Sequence, residues 1–122
     1  QSIYKFGTYV VRAKQEEEAD RLIQDAKLLE KSGCFAIVLE KIPAELATRV
    51  AQEVNIPIIG IGAGAGVDGQ VLVSHDMFGI TQEFSPRFLR RYLNMGEEMM
   101  GAVSQYVKDV KDVSFPNEEE QY

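Results

Sequence analysis

Three short stretches of this 122-residue sequence carry residue types and spacings that could do chemistry. The sharpest is Glu40, which directly follows the apolar run Phe35 to Leu39. A carboxylate at the C-terminal end of a buried parallel strand stands where βα-barrel enzymes place catalytic groups. Partial desolvation of a carboxylate at such a place favours its neutral form and suits it to proton transfer. The plainer alternative is a surface glutamate opening a loop beside Lys41.

The second stretch is Gly60 to Gly66, which reads Gly-Ile-Gly-Ala-Gly-Ala-Gly after an apolar strand. Small residues let a ligand or a neighbouring backbone approach closely, and successive N–H groups can hold an anion. Gly60, Gly62 and Gly64 are therefore candidates for a substrate or cofactor loop, and tight packing of the chain on itself is the competing explanation. The dinucleotide fingerprint is met only loosely, at Gly60, Gly62 and Ala65, and no helix is expected behind it. No Lys-Ser/Thr pair follows, so a P-loop is excluded.

The third stretch is His75-Asp76, with the only histidine of the chain. Both are expected at a strand end in a hydrogen-bonding structural role. Neighbours in a strand point to opposite faces, which makes them a poor chelating pair, and no Cys cluster or second His supports zinc. No Gly-x-Ser-x-Gly elbow is present to support a hydrolase triad. Arg87, Arg90 and Arg91 form a basic edge suited to salt bridges. Met99-Met100 reads as core or subunit contact, and Cys34 as a buried structural thiol.

Alternating strands and helices must position these residues. Residues 3–13 read as extended pieces around Gly7. Ala19, Leu22, Ile23, Ala26 and Leu29 recur at helical spacing, with an acidic first turn and Gly33 past the end. Phe35 to Leu39 reads as a parallel strand buried on both faces. Pro43 opens a second helix with its apolar face at Leu46, Ala47, Val50, Ala51 and Val54. Ile56 to Ile61 and Val71 to Val73 read as further buried strands. Ser85-Pro86 predicts a helix through about Tyr92. Met99, Met100, Val103, Tyr106, Val107 and Val110 predict a last amphipathic helix, and residues 113–122 an acidic tail. About four βα units result, over residues 1–112. They amount to half of an eight-stranded barrel, which typically needs about 250 residues; a small open α/β sheet fits the same pattern.

Composition removes whole classes of function. With 45% hydrophobic and 26% charged residues, the chain is neither disordered nor a disulfide-rich miniature. A net charge of −6 argues against general nucleic-acid binding, which needs clustered Lys and Arg. Residues 97–122 hold 7 acidic and 2 basic residues, so they carry −5 of that charge. One cysteine, no visible leader and no apolar stretch near the roughly 20 residues of a membrane helix point to a cytoplasmic, non-membrane protein. The opening Gln1-Ser2-Ile3-Tyr4, without Met, hints at a start lying further upstream.

Taken together, certain words of the sequence resemble one enzyme family. Val38-Leu39-Glu40, Ile42 to Ala47, Ile56 to Gly64, Asp68 to Val73, His75 to Gly79 and the terminal Phe115-Pro116-Asn117-Glu118-Glu119 are similar, in order and spacing, to the ketopantoate hydroxymethyltransferases. The resemblance runs from about Gln1 to Glu119 and matches the C-terminal half of that family. It implies an eight-stranded (β/α)8 TIM barrel of the phosphoenolpyruvate and ketopantoate superfamily. It also implies transfer of a one-carbon unit from 5,10-methylenetetrahydrofolate to 3-methyl-2-oxobutanoate, giving ketopantoate for pantothenate synthesis.

On the same ground Glu40 matches the family's proton-accepting glutamate. Mg2+ is expected, with its ligands in the N-terminal half rather than in this chain. That N-terminal half is the expected partner, in a homo-oligomer. Thr8 and Arg12 depart from the family's pattern around Gly7, and Glu120 stands where the family often has His. Alone, the chain is expected to lack transferase activity. The alternatives are a catalytically silent fragment or assembly subunit, or another oxo-acid barrel lyase of the superfamily.

Overall fold

The computed structural model describes residues 16–83 and 85–122. The extended pieces expected over residues 3–13 lie outside them. The chain forms two compact units, Gln1–Leu72 and Val73–Tyr122.

The first unit opens with helix α1, Glu16–Lys31, whose first turn carries Glu16, Glu17 and Glu18. Acidic side chains there oppose the positive end of the helix dipole. Gly33 ends it at φ 93°. The Gly33 N–H donates to Glu30 O at 3.0 Å and the Cys34 N–H to Leu29 O at 3.1 Å, the paired bonds of a Schellman cap. Cys34, expected to be buried, is half-buried, because it belongs to this cap and the strand starts only at Ile37.

Three parallel strands follow in the order β1-β2-β3: β1 Ile37–Glu40, β2 Ile58–Ile61 and β3 Gly69–Gln70. Helix α2, Ala44–Glu53, connects the first two, as parallel strands require of their crossover. β1 and β2 run in register from Ile37↔Ile58 to Glu40↔Ile61. Ile37, Leu39 and Ile58 from the sheet share one core with Ala19, Ile23 and Ala26 of α1 and Leu46, Ala47 and Val50 of α2. Ile58 and Val50 are fully buried, each worth about 1.5–3 kcal/mol.

Two strand expectations need correction. β1 is not buried on both faces: it alternates, with Val38 61% exposed, and Phe35 ahead of it is 89% exposed. Burial on both faces needs a layer against each, and the core just described lines the face of Ile37 and Leu39. The strand expected at Val71 to Val73 is instead the two-residue β3. The Val71 N–H still reaches Gly60 O at 3.0 Å, but β2 ends at Ile61 and Gly62 turns away at φ 64°, so among the described residues the ladder does not extend to residues 72 and 73.

The second unit holds helix α3, Ser74–Met77, and helix α4, Met95–Lys111. The helix expected over 85–92 is replaced by a single turn at 87–88, with the Leu89 N–H on Pro86 O. The backbone N–H groups of Tyr92, Met95 and Gly96 donate to the carbonyls of Met77, Phe78 and Gly79. These pairings with an earlier segment override the local helical signal. α4 has the expected helical span, but Met99, Met100, Val103, Tyr106, Val107 and Val110 are all exposed. The expected core role of Met99-Met100 is therefore not met within this unit. No helix among the described residues is long and apolar enough to cross a membrane.

Candidate functional site

The site grows from the C-terminal ends of β1 and β2. Glu40 is the last residue of β1 and is exposed, opposite Ile61 in the parallel register. Lys41 continues the ladder by one bond, its N–H donating to Ile61 O at 2.9 Å. The chain then turns sharply, for Lys41 has φ 53°, a left-handed conformation that few non-glycine residues adopt. Ile42 enters the core and Pro43 caps α2 at φ −52°.

The glycine loop leaves β2 on the same edge, so Glu40 and Gly62 come at the ends of adjacent strands. Gly62 and Gly64 both have positive φ, 64° and 80°. Gly60, Gly64 and Gly66 each also have a steric neighbour. A Cβ on Gly60 would come within 3.0 Å of Val67 Cγ2. One on Gly64 would collide with Ala44, and one on Gly66 with Thr48, both in the first two turns of α2. The Gly64 carbonyl accepts a bond from Gln70 Nε2 at 2.8 Å. The loop is thus seated on the N-terminal part of the helix that Glu40 and Pro43 lead into, with Ala63 fully buried beneath it.

Asp68, which the sequence does not single out, anchors the far end of this loop. Its Oδ2 accepts the Ile58 N–H at 2.8 Å, and its own N–H donates to Ile58 O at 3.0 Å. The signal available in sequence was a carboxylate just before Gly69 and ten residues after a fully apolar strand start. Lys41 gave no sequence signal, because lysine is not a residue associated with left-handed backbone.

His75 and Asp76 belong to the second unit. They are not at a strand end. Both lie in α3, where Val73 O accepts the N–H groups of Asp76 and Met77 and curls the chain. The opposite-faces argument therefore does not apply to them. His75 is exposed, and its carbonyl accepts from Ile80 and Thr81. Of the basic edge, Arg91 donates from its guanidinium to Thr81 O and Gln82 O. Away from these residues, a hydrogen bond from Lys27, then the Lys27 and Arg49 charges, hold the Glu53 carboxyl below the usual glutamate value.

Comparison with known proteins draws these features together. The family model for ketopantoate hydroxymethyltransferase matches residues 1–118. The chain belongs to that family. It is 71% identical to the 3-methyl-2-oxobutanoate hydroxymethyltransferase of Parabacteroides distasonis, 70% to that of Porphyromonas gingivalis and 68% to that of Flavobacterium johnsoniae. In each case the match covers 100% of this chain and 45% of the relative. The chain spans about half the length of the curated relatives it matches. Among its described residues no three His, Cys, Asp or Glu side chains gather into a metal site. These residues therefore do not fit Mg2+ by themselves.

Proposed function

We propose that this sequence is the C-terminal half of an enzyme that moves a hydroxymethyl group from 5,10-methylenetetrahydrofolate to 3-methyl-2-oxobutanoate, with Glu40 as the proton acceptor. The observation that carries the reading is the place of Glu40: last in a parallel strand and level with the start of a left-handed glycine turn. High identity along the whole chain to relatives named for that reaction supports it.

In this reading the Glu40 carboxylate takes the proton from the carbon next to the 2-oxo group. The electron pair of that C–H bond passes into an enolate and then into the new C–C bond to the folate methylene carbon. The methylene carbon breaks its bonds to both folate nitrogens and takes its hydroxyl oxygen from water; one nitrogen takes up the proton that Glu40 removed and the other the proton that the water gives up. The turn at Gly60, Gly62 and Gly64 borders the substrate, while His75 and Asp76 keep a structural role. Residues 1–112 form half of a (β/α)8 barrel with residues 113–122 as its tail. The remaining half supplies the Mg2+ ligands, and the completed barrels associate as a cytoplasmic homo-oligomer.

A second reading applies to the 122-residue chain by itself: it is catalytically silent. The exposure of Val38 and Phe35 in the first unit, and separately that of the apolar stripe along α4 in the second, favours it, since an exposed apolar face is one built to be covered. The experiment that tests both uses deuterium exchange at C3 of 3-methyl-2-oxobutanoate. In the full-length protein, Glu40→Gln lowers exchange by about 100-fold or more; unchanged exchange overturns the role of Glu40. Ketopantoate formation by the 122-residue chain alone overturns the second reading.

A further inference from the structure

We propose that Lys41 is a positioning residue for Glu40, acting through its left-handed backbone rather than through its ammonium group. The inference rests on the proposed role of Glu40, and its novelty lies in what fixes that carboxylate in place.

Along β1, inward and outward residues alternate: Ile37 in, Val38 out, Leu39 in, Glu40 out. Continued with period two, the pattern would put Lys41 inward and Ile42 outward. The opposite is found at Ile42, which is buried at 8% exposure in the same core as Leu39. The change happens at one residue. Lys41 has φ 53°, and its N–H is still held by Ile61 O at 2.9 Å. The ladder therefore continues one bond past Glu40 while the chain direction breaks immediately after it.

Two constraints then pin Glu40 from both sides. Before it, the paired strand fixes its backbone against Ile61. After it, the buried Ile42 and the start of α2 at Pro43 fix where the chain must go. The left-handed residue at 41 joins the two with Glu40 kept on the exposed side. Non-glycine residues in this region persist only where the surroundings over-determine them, and such residues concentrate at functional sites. Glycine and asparagine adopt the conformation at low cost, whereas β-branched residues resist it most.

The test uses the full-length protein with Lys41→Val, Lys41→Ala, Lys41→Gly and Lys41→Asn, scored by kcat, KM, C3 deuterium exchange and melting temperature. Misplacement of a reacting group by about 1 Å costs about 100-fold in rate, so Lys41→Val lowers kcat and exchange on that scale while KM holds. Lys41→Ala, which meets the same left-handed penalty as lysine but has no ammonium, keeps kcat, and it carries the test if the valine variant does not fold: a loss there as large as that expected of valine shows that the side chain acts, and the proposal fails. Glycine and asparagine, which keep the backbone but lack the ammonium, rescue kcat. If Lys41→Gly loses as much as Lys41→Val, the side chain acts and the proposal fails. If the valine variant keeps full kcat, the conformation positions nothing and the proposal fails. Glu40→Gln run in parallel separates the two ideas: exchange retained there sinks the role of Glu40 itself, whatever the Lys41 variants do.

Discussion

Asp68 holds both backbone groups of Ile58, accepting its N–H on Oδ2 at 2.8 Å and donating its own N–H to the Ile58 carbonyl at 3.0 Å. Ile58 is fully buried at the start of β2, the central strand. One exposed side chain thus satisfies a buried donor and closes the loop that carries the glycines.

Replacing Asp68 by alanine strands the Ile58 N–H. A buried donor left without a partner costs about 1–3 kcal/mol. Urea unfolding of Asp68→Ala will show a loss of that size, and Asp68→Asn, which keeps an acceptor oxygen, a smaller one. Equal stability of Asp68→Ala and the parent would mean the bond contributes nothing.

Gly64 and Gly33 separate steric crowding from backbone strain. Both have positive φ, but a Cβ on Gly33 meets nothing within 4 Å, whereas one on Gly64 runs into Ala44. Gly33→Ala should cost about 1 kcal/mol, the left-handed penalty alone. Gly64→Ala should cost about 1–3 kcal/mol more, from overpacking. Equal losses in thermal unfolding would show that α2 simply gives way.

The Lys27–Glu53 pair sets a dependence on pH. Lys27 Nζ lies 2.6 Å from Glu53 Oε2 and joins α1 to α2. The hydrogen bond and charge of Lys27 lower the folded pKa of Glu53, so its contribution is fully present above the ordinary glutamate value of 4.5. It is lost as pH falls through the lowered folded value, because the unfolded chain then binds the proton more readily. Lys27→Met should flatten this part of the acid limb, and added salt should shrink the difference between the two proteins. An acid limb identical in both would remove the pair from the account.

Val113 ends α4 in a conformation that a β-branched residue resists. It has φ 58°, and Val113 N–H to Val110 O and Ser114 N–H to Asp109 O complete a Schellman cap. Val113→Gly relieves a left-handed penalty of about 1–2 kcal/mol, part of which is returned as extra freedom in the unfolded chain. A net gain of about 1 kcal/mol in chemical denaturation is expected; a net loss would mean the valine side chain contributes packing.

Much of the first unit could be read in the residues. The spacing of Ala19, Ile23 and Ala26 marks α1, and Gly33 its end, because a 3.6-residue period and a left-handed cap are local properties. Pro43 and the apolar positions to Val54 mark α2 in the same way. Glu40 at a strand end followed from the apolar run before it. The second unit was less legible. Ser85-Pro86 carries a sound helix-start signal, yet the nearby N–H groups pair with carbonyls of residues 77–79, a contact that no window around residue 85 contains. His75-Asp76 went to a strand for a related reason: Val71 to Val73 has strand character, but its partner strand has already turned away at Gly62.

By itself, the sequence determined the family, the alternation of strands with helices, and the place of Glu40 at a strand end. These rest on residue order and on periodicities that each segment carries within itself. Tertiary structure alone decided that Lys41 takes a left-handed turn, that Asp68 rather than a main-chain group receives the Ile58 N–H, and that Gly64 and Gly66 seat against Ala44 and Thr48. Each of these depends on two segments meeting, and the free energy that selects it comes from burial and hydrogen bonding between them, which no single segment contains.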